Sequence, residues 1–199
     1  MAKNNDSFTY VLVCFVCFVM FYMYFRDSDF QLKCVVSSVD GNQYCVRERE
    51  KLQEAADLLA SVTTKCKKLV EYMNTTHPED ERTKMLVKGF NPTKIKETLP
   101  TSSYTAYSEN KGKKIAFCLS PEKENGEGRL IDEHTLTFVA IHELAHVATK
   151  SIGHKQDYWE NFKFLLENAK EAGIHQPQNY KEKPATYCST EIRDNPYYD

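Results

Sequence analysis

The chain has 199 residues, which suits one domain with its own hydrophobic core and leaves too little for two comfortable domains. Its formal net charge of −2 excludes a bulk electrostatic attraction to nucleic acid or to anionic membrane surfaces. Aromatic residues make up 12% of the chain, a content typical of a packed globular protein rather than a disordered one.

An apolar run over residues 8–25 follows a short polar tail at residues 1–7. The run contains no charge, proline or glycine, and as a helix it would rise about 27 Å, close to the thickness of a hydrocarbon core. A cleaved signal peptide is the competing interpretation, but no small-residue cleavage site follows. We therefore predict an uncleaved, single-pass transmembrane anchor and a membrane location, with the orientation of the domain left open.

Residues 26–34 are predicted to form a linker, and cysteines are spread over the whole chain. Two of the seven cysteines, Cys14 and Cys17, lie in the apolar run, which leaves five at irregular spacing. An odd number at such spacing does not indicate a disulfide framework, so we predict reduced thiols that pack as small apolar side chains. Asn74 begins one glycosylation sequon, which alone is weak support for a lumenal domain.

A β-hairpin is predicted at the start of the globular domain. The segments 35–39 and 42–46 are rich in β-prone side chains, and Asp40-Gly41 between them is typical of a type I′ turn. A long helix to about residue 73 should follow, because apolar side chains recur there every three or four positions. Such a short stripe more often packs on its own domain than in a coiled coil.

A short helix over residues 81–88 and a second hairpin are predicted next. The segments 103–108 and 114–119 are strand-like, and the polar turn at residues 110–112 joins them. We interpret 114–119 as an edge strand, along which a substrate strand could add to the sheet. Residues 121–129 are polar and contain glycine, which favours a mobile exposed connection over a lid.

A His-Glu-x-x-His motif at His142, Glu143 and His146 is the strongest chemical signal in the chain. Histidines four apart on a helix project from one face and can hold one metal ion between them. The neighbouring glutamate can accept a proton from a water molecule. The helix that contains the motif is predicted over residues 133–150, with Asp132 as its amino-terminal cap.

Two residues are candidates for the third metal ligand, His154 and Glu167. Gly153 permits the turn that brings His154 back toward the motif, and the segment 151–172 contains this turn and a final helix. That helix has a buried aromatic stripe, whereas Glu167 lies on its polar face. Turning Glu167 toward the metal would expose the stripe, at a cost of about 1.5–3 kcal/mol per large side chain. His154 is therefore favoured.

Zinc suits these ligands, since catalytic zinc typically keeps three protein ligands and binds neutral imidazole well. We predict one Zn²⁺ per chain, bound by the three histidines. Glu143 is the predicted catalytic base, which takes a proton from water, and the predicted substrate is a polypeptide. Four tyrosines are open candidates for stabilising the oxyanion of the reaction: Tyr104, Tyr107, Tyr180 and Tyr187. Residues 173–199 are predicted to form an irregular tail.

Residues 138–173 resemble metallopeptidases encoded by large DNA viruses of algae and protists. The likeness extends upstream through the turn at residues 110–112 to the first hairpin, and downstream to the tail around Cys188. More distantly, the motif is similar to the SprT/WLM group of minimal zinc peptidases, some of which cut proteins crosslinked to DNA. The resemblance implies zinc on the three histidines and Glu143 as general base. A nucleic-acid partner is not indicated, because the chain lacks a long basic tail.

These features together predict an α+β fold: a minimal zincin-like domain over residues 35–199, with a small antiparallel sheet packed on helices and one preceding transmembrane helix. The predicted function is that of a membrane-anchored, zinc-dependent endopeptidase in a viral or host internal membrane. The alternative is a catalytically silent membrane or virion scaffold that keeps the fold. Substrate identity and oligomeric state stay open.

Overall fold

A computed structural model describes residues 3–26, 32–123 and 128–199 of the chain. Within these residues, five α-helices and seven short β-strands form an α+β fold. The helices are α1 (Lys3–Arg26), α2 (Leu52–Thr76), α3 (Glu81–Gly89), α4 (Glu133–Ala148) and α5 (Gln156–Glu171). The strands are β1 (Leu32–Val36), β2 (Gln43–Arg47), β3 (Ile95–Glu97), β4 (Ala106–Glu109), β5 (Lys114–Phe117), β6 (Ala185–Tyr187) and β7 (Thr190–Ile192).

The apolar run near the amino terminus forms part of α1, which is 24 residues long. No helix in the described part of the chain is both long and apolar enough to cross a membrane. The predicted transmembrane anchor over residues 8–25 is therefore wrong, as is the membrane location inferred from it. A spanning helix needs about 20 consecutive, predominantly apolar residues, and no helix in the described part of the chain meets the length and the apolar condition together. Residues 27–31 of the predicted linker lie outside the described residues.

Helix α4 lies at the centre of the domain, where it contacts α2, α3, α5, β4 and β5. Twelve of its 16 residues are buried, which explains why it is apolar on nearly every side. The predicted cap is confirmed, because the Asp132 carboxylate accepts a hydrogen bond of 2.8 Å from the backbone N–H of Thr135. The helix ends two residues earlier than predicted, because Thr149 has an extended backbone.

The three-stranded sheet beside α4 has the order β3-β5-β4, with β3 parallel and β4 antiparallel to β5. The prediction of an antiparallel sheet missed β3, a strand of three residues whose pairing with β5 is not signalled by a local turn. Since β5 is central, the prediction that residues 114–119 form an edge is wrong. Within the described residues, β4 is the edge strand on the α4 side.

One predicted hairpin has a longer connection than expected, and a second, unpredicted hairpin lies in the tail. In the first, Val36 pairs with Gln43, so the connection has six residues (37–42) instead of a two-residue type I′ turn. In the second, β6 and β7 pair antiparallel across Cys188-Ser189, both with positive φ. The tail predicted to be irregular therefore contains a hairpin, which is followed by a 3₁₀ turn at Pro196–Tyr198.

Four of the five cysteines after α1 form two disulfides, Cys34–Cys45 and Cys118–Cys188. The prediction of reduced thiols is wrong for these four, and Cys66 remains a buried free thiol. Strand pairing places Cys34 directly opposite Cys45. The second bond joins residues 70 apart and attaches the β6–β7 hairpin to the end of β5. Neither pairing is visible in the linear spacing of the cysteines.

The Cys118–Cys188 bond should contribute more to stability than the Cys34–Cys45 bond. Loop-closure entropy predicts about 4 kcal/mol for the 70-residue separation and about 3 kcal/mol for the 11-residue separation. The measurement is chemical denaturation of a Cys118→Ala/Cys188→Ala variant, with Cys34→Ala/Cys45→Ala as the matched control. Equal midpoints for the first variant and the unmodified chain would contradict the stabilising role.

Candidate metal centre

His142, His146 and His154 direct their Nε2 atoms toward one another. The Nε2 atom of His154 lies 3.2 Å from that of His142 and 3.1 Å from that of His146. Two nitrogen ligands at about 2.0–2.1 Å from a tetrahedral zinc ion are about 3.3 Å apart, so the observed separations fit zinc. Among the described residues, these three histidines form the cluster whose ligand atoms are close enough to share one metal ion.

The spacing of His142 and His146 on α4, together with the chain reversal at Gly153, brings the three imidazoles together. His142 and His146 are one turn apart on α4, on the same face. The chain then leaves the helix at Thr149 and reverses at Gly153, whose φ of 80° favours glycine. His154 follows directly and meets the other two rings. The structure thus brings together the three predicted ligands, while metal binding itself stays a prediction.

The aromatic ring of Tyr158 on α5 contacts all three imidazole rings. Its side chain is fully buried, and its ring centroid lies 4.4 Å from that of His146, 4.6 Å from that of His154 and 5.3 Å from that of His142. The Tyr158 hydroxyl donates a hydrogen bond of 3.4 Å to the backbone oxygen of His142. The sequence pattern placed this residue in the buried stripe of the last helix and did not indicate its contact with the histidines.

Burial keeps the histidines neutral and disfavours the charged form of the glutamate between them. Burial, together with His146 and His154, lowers the pKa of His142 to about 3. Burial, together with His154 and Lys111, lowers the pKa of His146 to about 4. Burial raises the pKa of Glu143 to about 8, and its Oε2 atom has no hydrogen-bond partner among the described residues. Neutral imidazoles are the form that a metal ion requires.

The histidines and Glu143 open onto a cleft of about 860 Å³. One side is formed by residues 104–108, which include the beginning of the edge strand β4. Phe138, Trp159 and Phe162 supply apolar surface, and residues 192–194, from the last residue of β7 onward, border the cleft. A cleft with apolar walls and a few convergent polar groups is the usual form of a ligand site.

The four tyrosines proposed as oxyanion donors have different positions. Tyr180 is fully buried and does not line the cleft. Tyr187 lines it, but its hydroxyl accepts a hydrogen bond from the N–H of Cys118 and donates one to the backbone oxygen of Thr105. Tyr104 and Tyr107 also line the cleft, with ring centroids 5.9 Å apart. These two tyrosines therefore stay candidates for contact with a substrate in the cleft.

The alternative third ligand, Glu167, lies apart from the site. It belongs neither to the histidine cluster nor to the lining of the cleft. The aromatic stripe of α5 is buried as predicted, with Tyr158, Phe162 and Leu165 at 1% exposure or less. The geometry of α5 therefore favours His154.

The known proteins that are similar to this chain are viral proteins described as uncharacterized. One relative, an uncharacterized protein of Acanthamoeba polyphaga mimivirus, is 29% identical over 165 residues, 81% of this chain and 82% of that protein. An uncharacterized protein of Invertebrate iridescent virus 6 is 36% identical over 63 residues, 32% of this chain and 35% of the relative. A protein of Invertebrate iridescent virus 3 is 39% identical over 61 residues, 31% of this chain and 37% of the relative.

No family model and no solved structure matches the chain. The relatives are viral proteins, which supports a viral origin. The shared span is only about a third of the length of the two iridescent-virus relatives. The resemblance to viral metallopeptidases and to the SprT/WLM group stays a prediction.

The third ligand can be identified with a pair of alanine variants. We expect His154→Ala to lose most bound zinc, because two protein ligands hold the metal far less tightly than three. Glu167→Ala should keep near-normal zinc, since this side chain lies outside the cluster. Zinc per chain is measured by elemental analysis after dialysis at equal protein concentration. Normal zinc in His154→Ala, with loss in Glu167→Ala, would reverse the assignment.

Proposed function

We propose that this chain is a zinc-dependent peptidase of the minimal zincin type, related to the SprT/WLM group. The observation that supports the proposal most directly is the set of Nε2 separations of 3.1 and 3.2 Å at His154. They occur beside a buried carboxylate and inside a cleft, as metal-assisted hydrolysis requires.

The metal would be held by His142, His146 and His154, which supply three neutral nitrogen ligands. A bound zinc ion supplies a water of lowered pKa and polarises the carbonyl group that is attacked. Three protein ligands leave a fourth position open, which distinguishes a catalytic zinc site from a closed structural one. The aromatic contacts of Tyr158 hold the rings in this arrangement before any ligand binds.

Glu143 is the proposed general base. It follows the first histidine on α4, lies at 4% exposure and lines the cleft. Its Oε2 atom has no partner in the described part of the chain. The positive charge of a bound zinc ion would favour the ionised carboxylate that burial disfavours, so Glu143 could then take a proton from water and return it to the leaving amine. Burial of this carboxylate lowers stability, because hydrogen bonds to Oε2 do not compensate its desolvation, and perturbed buried groups of this kind cluster at functional sites.

An extended polypeptide fits the cleft as substrate. The edge strand β4 borders it and has no strand on its outer side within the described residues, so the main chain of a peptide can pair there. The apolar walls formed by Phe138 and Trp159 suit side chains near the cleaved bond. Tyr107 belongs to this strand and Tyr104 shortly precedes it, and both line the cleft, so either can contact the substrate and supply a hydrogen-bond donor.

Replacing Glu143 by glutamine separates metal binding from catalysis. We expect Glu143→Gln to keep one zinc per chain and to lose at least about 100-fold in hydrolysis, because only the proton acceptor is removed. Activity is measured on a library of unfolded peptides by mass spectrometry, with the zinc-loaded full chain.

Glu167→Gln is the matched control, because it makes the same change on α5 outside the cleft. It should hydrolyse the same peptides at the rate of the unmodified chain. If the zinc-loaded unmodified chain and Glu143→Gln are equally inert across the library, the peptidase proposal fails. The chain would then be a scaffold that keeps the fold without the reaction.

A further inference from the structure

Apart from the contacts of the His154 ring with Tyr158 and Trp159, the loop that presents His154 has little packing of its own. It connects the end of α4 to the start of α5, and Ile152 in its middle is 86% exposed. Gly153 and His154 are also exposed. A surface loop of this kind is held by hydrogen bonds to its backbone rather than by burial, because it covers no core.

Side-chain donors satisfy several free carbonyl groups at the end of α4. The Thr149 hydroxyl donates to the backbone oxygen of Ala145 at 2.7 Å, and the Asn161 amide donates to that of Ala148 at 3.4 Å. The Lys111 ammonium donates to the backbone oxygen of His146 at 3.2 Å. A positive charge at this end of a helix is favourable, since the unpaired carbonyls carry partial negative charge.

Lys111 differs from the other two donors, because it donates to the backbone of the loop, whereas Asn161 reaches only the Thr149 hydroxyl there. The same ammonium donates to the backbone oxygens of Thr149 at 2.5 Å and of Ser151 at 2.9 Å. One side chain therefore joins the helix that contains His146 to the chain three residues before His154. The Ser151 hydroxyl also donates to the Asp157 carboxylate at 2.8 Å, which fixes the loop to the start of α5.

The position of Lys111 is itself fixed by close backbone packing. Asn110, Lys111 and Gly112 have φ values of 48°, 55° and 94°, so this turn has a left-handed backbone throughout. A Cβ atom on Gly112 would lie 2.8 Å from the backbone oxygen of Gly89 and 2.9 Å from Val147. The turn is thus wedged between α3 and α4, and it directs the lysine toward the end of α4.

We propose that Lys111 is a positioning residue for the third metal ligand, because its ammonium group joins the end of α4 to the loop that presents His154. The inference rests on the proposed metal site. Lys111 does not touch the metal ligand atoms; it acts through the backbone of residues 149–151. Without it, His154 would sample positions away from the other two histidines.

The test measures zinc affinity by competition with a chromophoric chelator, using the full chain. Lys111→Met should weaken zinc binding about 10- to 100-fold, the range for loss of a residue that supports metal ligands. In a His154→Ala background the same substitution should change the affinity by less than about twofold, because the ligand it positions is absent. This dependence on His154 would not arise if Lys111 only stabilised the fold.

Two control variants separate the effect of Lys111→Met on zinc affinity from the loss of a positive charge and from the loss of a hydrogen bond at the end of α4. Lys113→Met removes the same charge from the same exposed turn, and Asn161→Ala removes a hydrogen bond to Ala148. Asn161→Ala also removes the bond from the Asn161 amide to the Thr149 hydroxyl, which does not involve the loop backbone. Both variants should keep the zinc affinity within about twofold. If Lys111→Met does not fold, Asp157→Ala removes the other bond to Ser151 and should show the same dependence on His154.

The failures of the two proposals are distinguishable. An unmodified chain that binds no zinc overturns the proposed function, and this inference with it. An unmodified chain that binds zinc, with Lys111→Met binding equally well, overturns only the role of Lys111. Equal losses of affinity from Lys111→Met with and without His154 also overturn it, because the lysine would then act on the whole fold.

Discussion

The burial of α4 on nearly every side is the constraint on which the rest of the structure depends. A helix that is apolar all round must be enclosed, and α2, α3, α5 and the three-stranded sheet enclose this one. His142 and His146 are its half-buried residues on the cleft side, and Glu143 between them is almost fully buried. The rigid surroundings hold these three side chains in fixed positions, as a preformed metal centre requires.

The remaining parts of the site come from segments far from the motif in sequence. Helix α5 supplies Tyr158 beneath the imidazoles, and the β4–β5 hairpin supplies both the edge strand and Lys111. The tail borders the cleft because the Cys118–Cys188 bond and the hydrogen bonds of Tyr187 attach it to the residues just after β5 and just before β4. Four separate regions therefore meet around one cluster of histidines.

Local features could be predicted from the sequence, and non-local ones could not. The Asp132 cap, the turn at Gly153 and the buried stripe of α5 follow from the chemistry of a few neighbouring residues. The parallel pairing of β3 with β5 and the bond between Cys118 and Cys188 depend on contacts between distant segments. For the run at residues 8–25, an apolar composition and a length just sufficient to span indicate a membrane anchor, which the structure contradicts.

The central claim is that three imidazole nitrogens bind one zinc ion, and X-ray absorption at the zinc edge of the full chain tests it most directly. The account predicts about one zinc per chain, with nitrogen and oxygen neighbours at about 2.0–2.1 Å and a spectrum typical of imidazole ligands. The described residues include three free cysteines, Cys14, Cys17 and Cys66, which could bind zinc instead. A sulfur neighbour at about 2.3 Å, or the absence of stoichiometric zinc, would contradict the account.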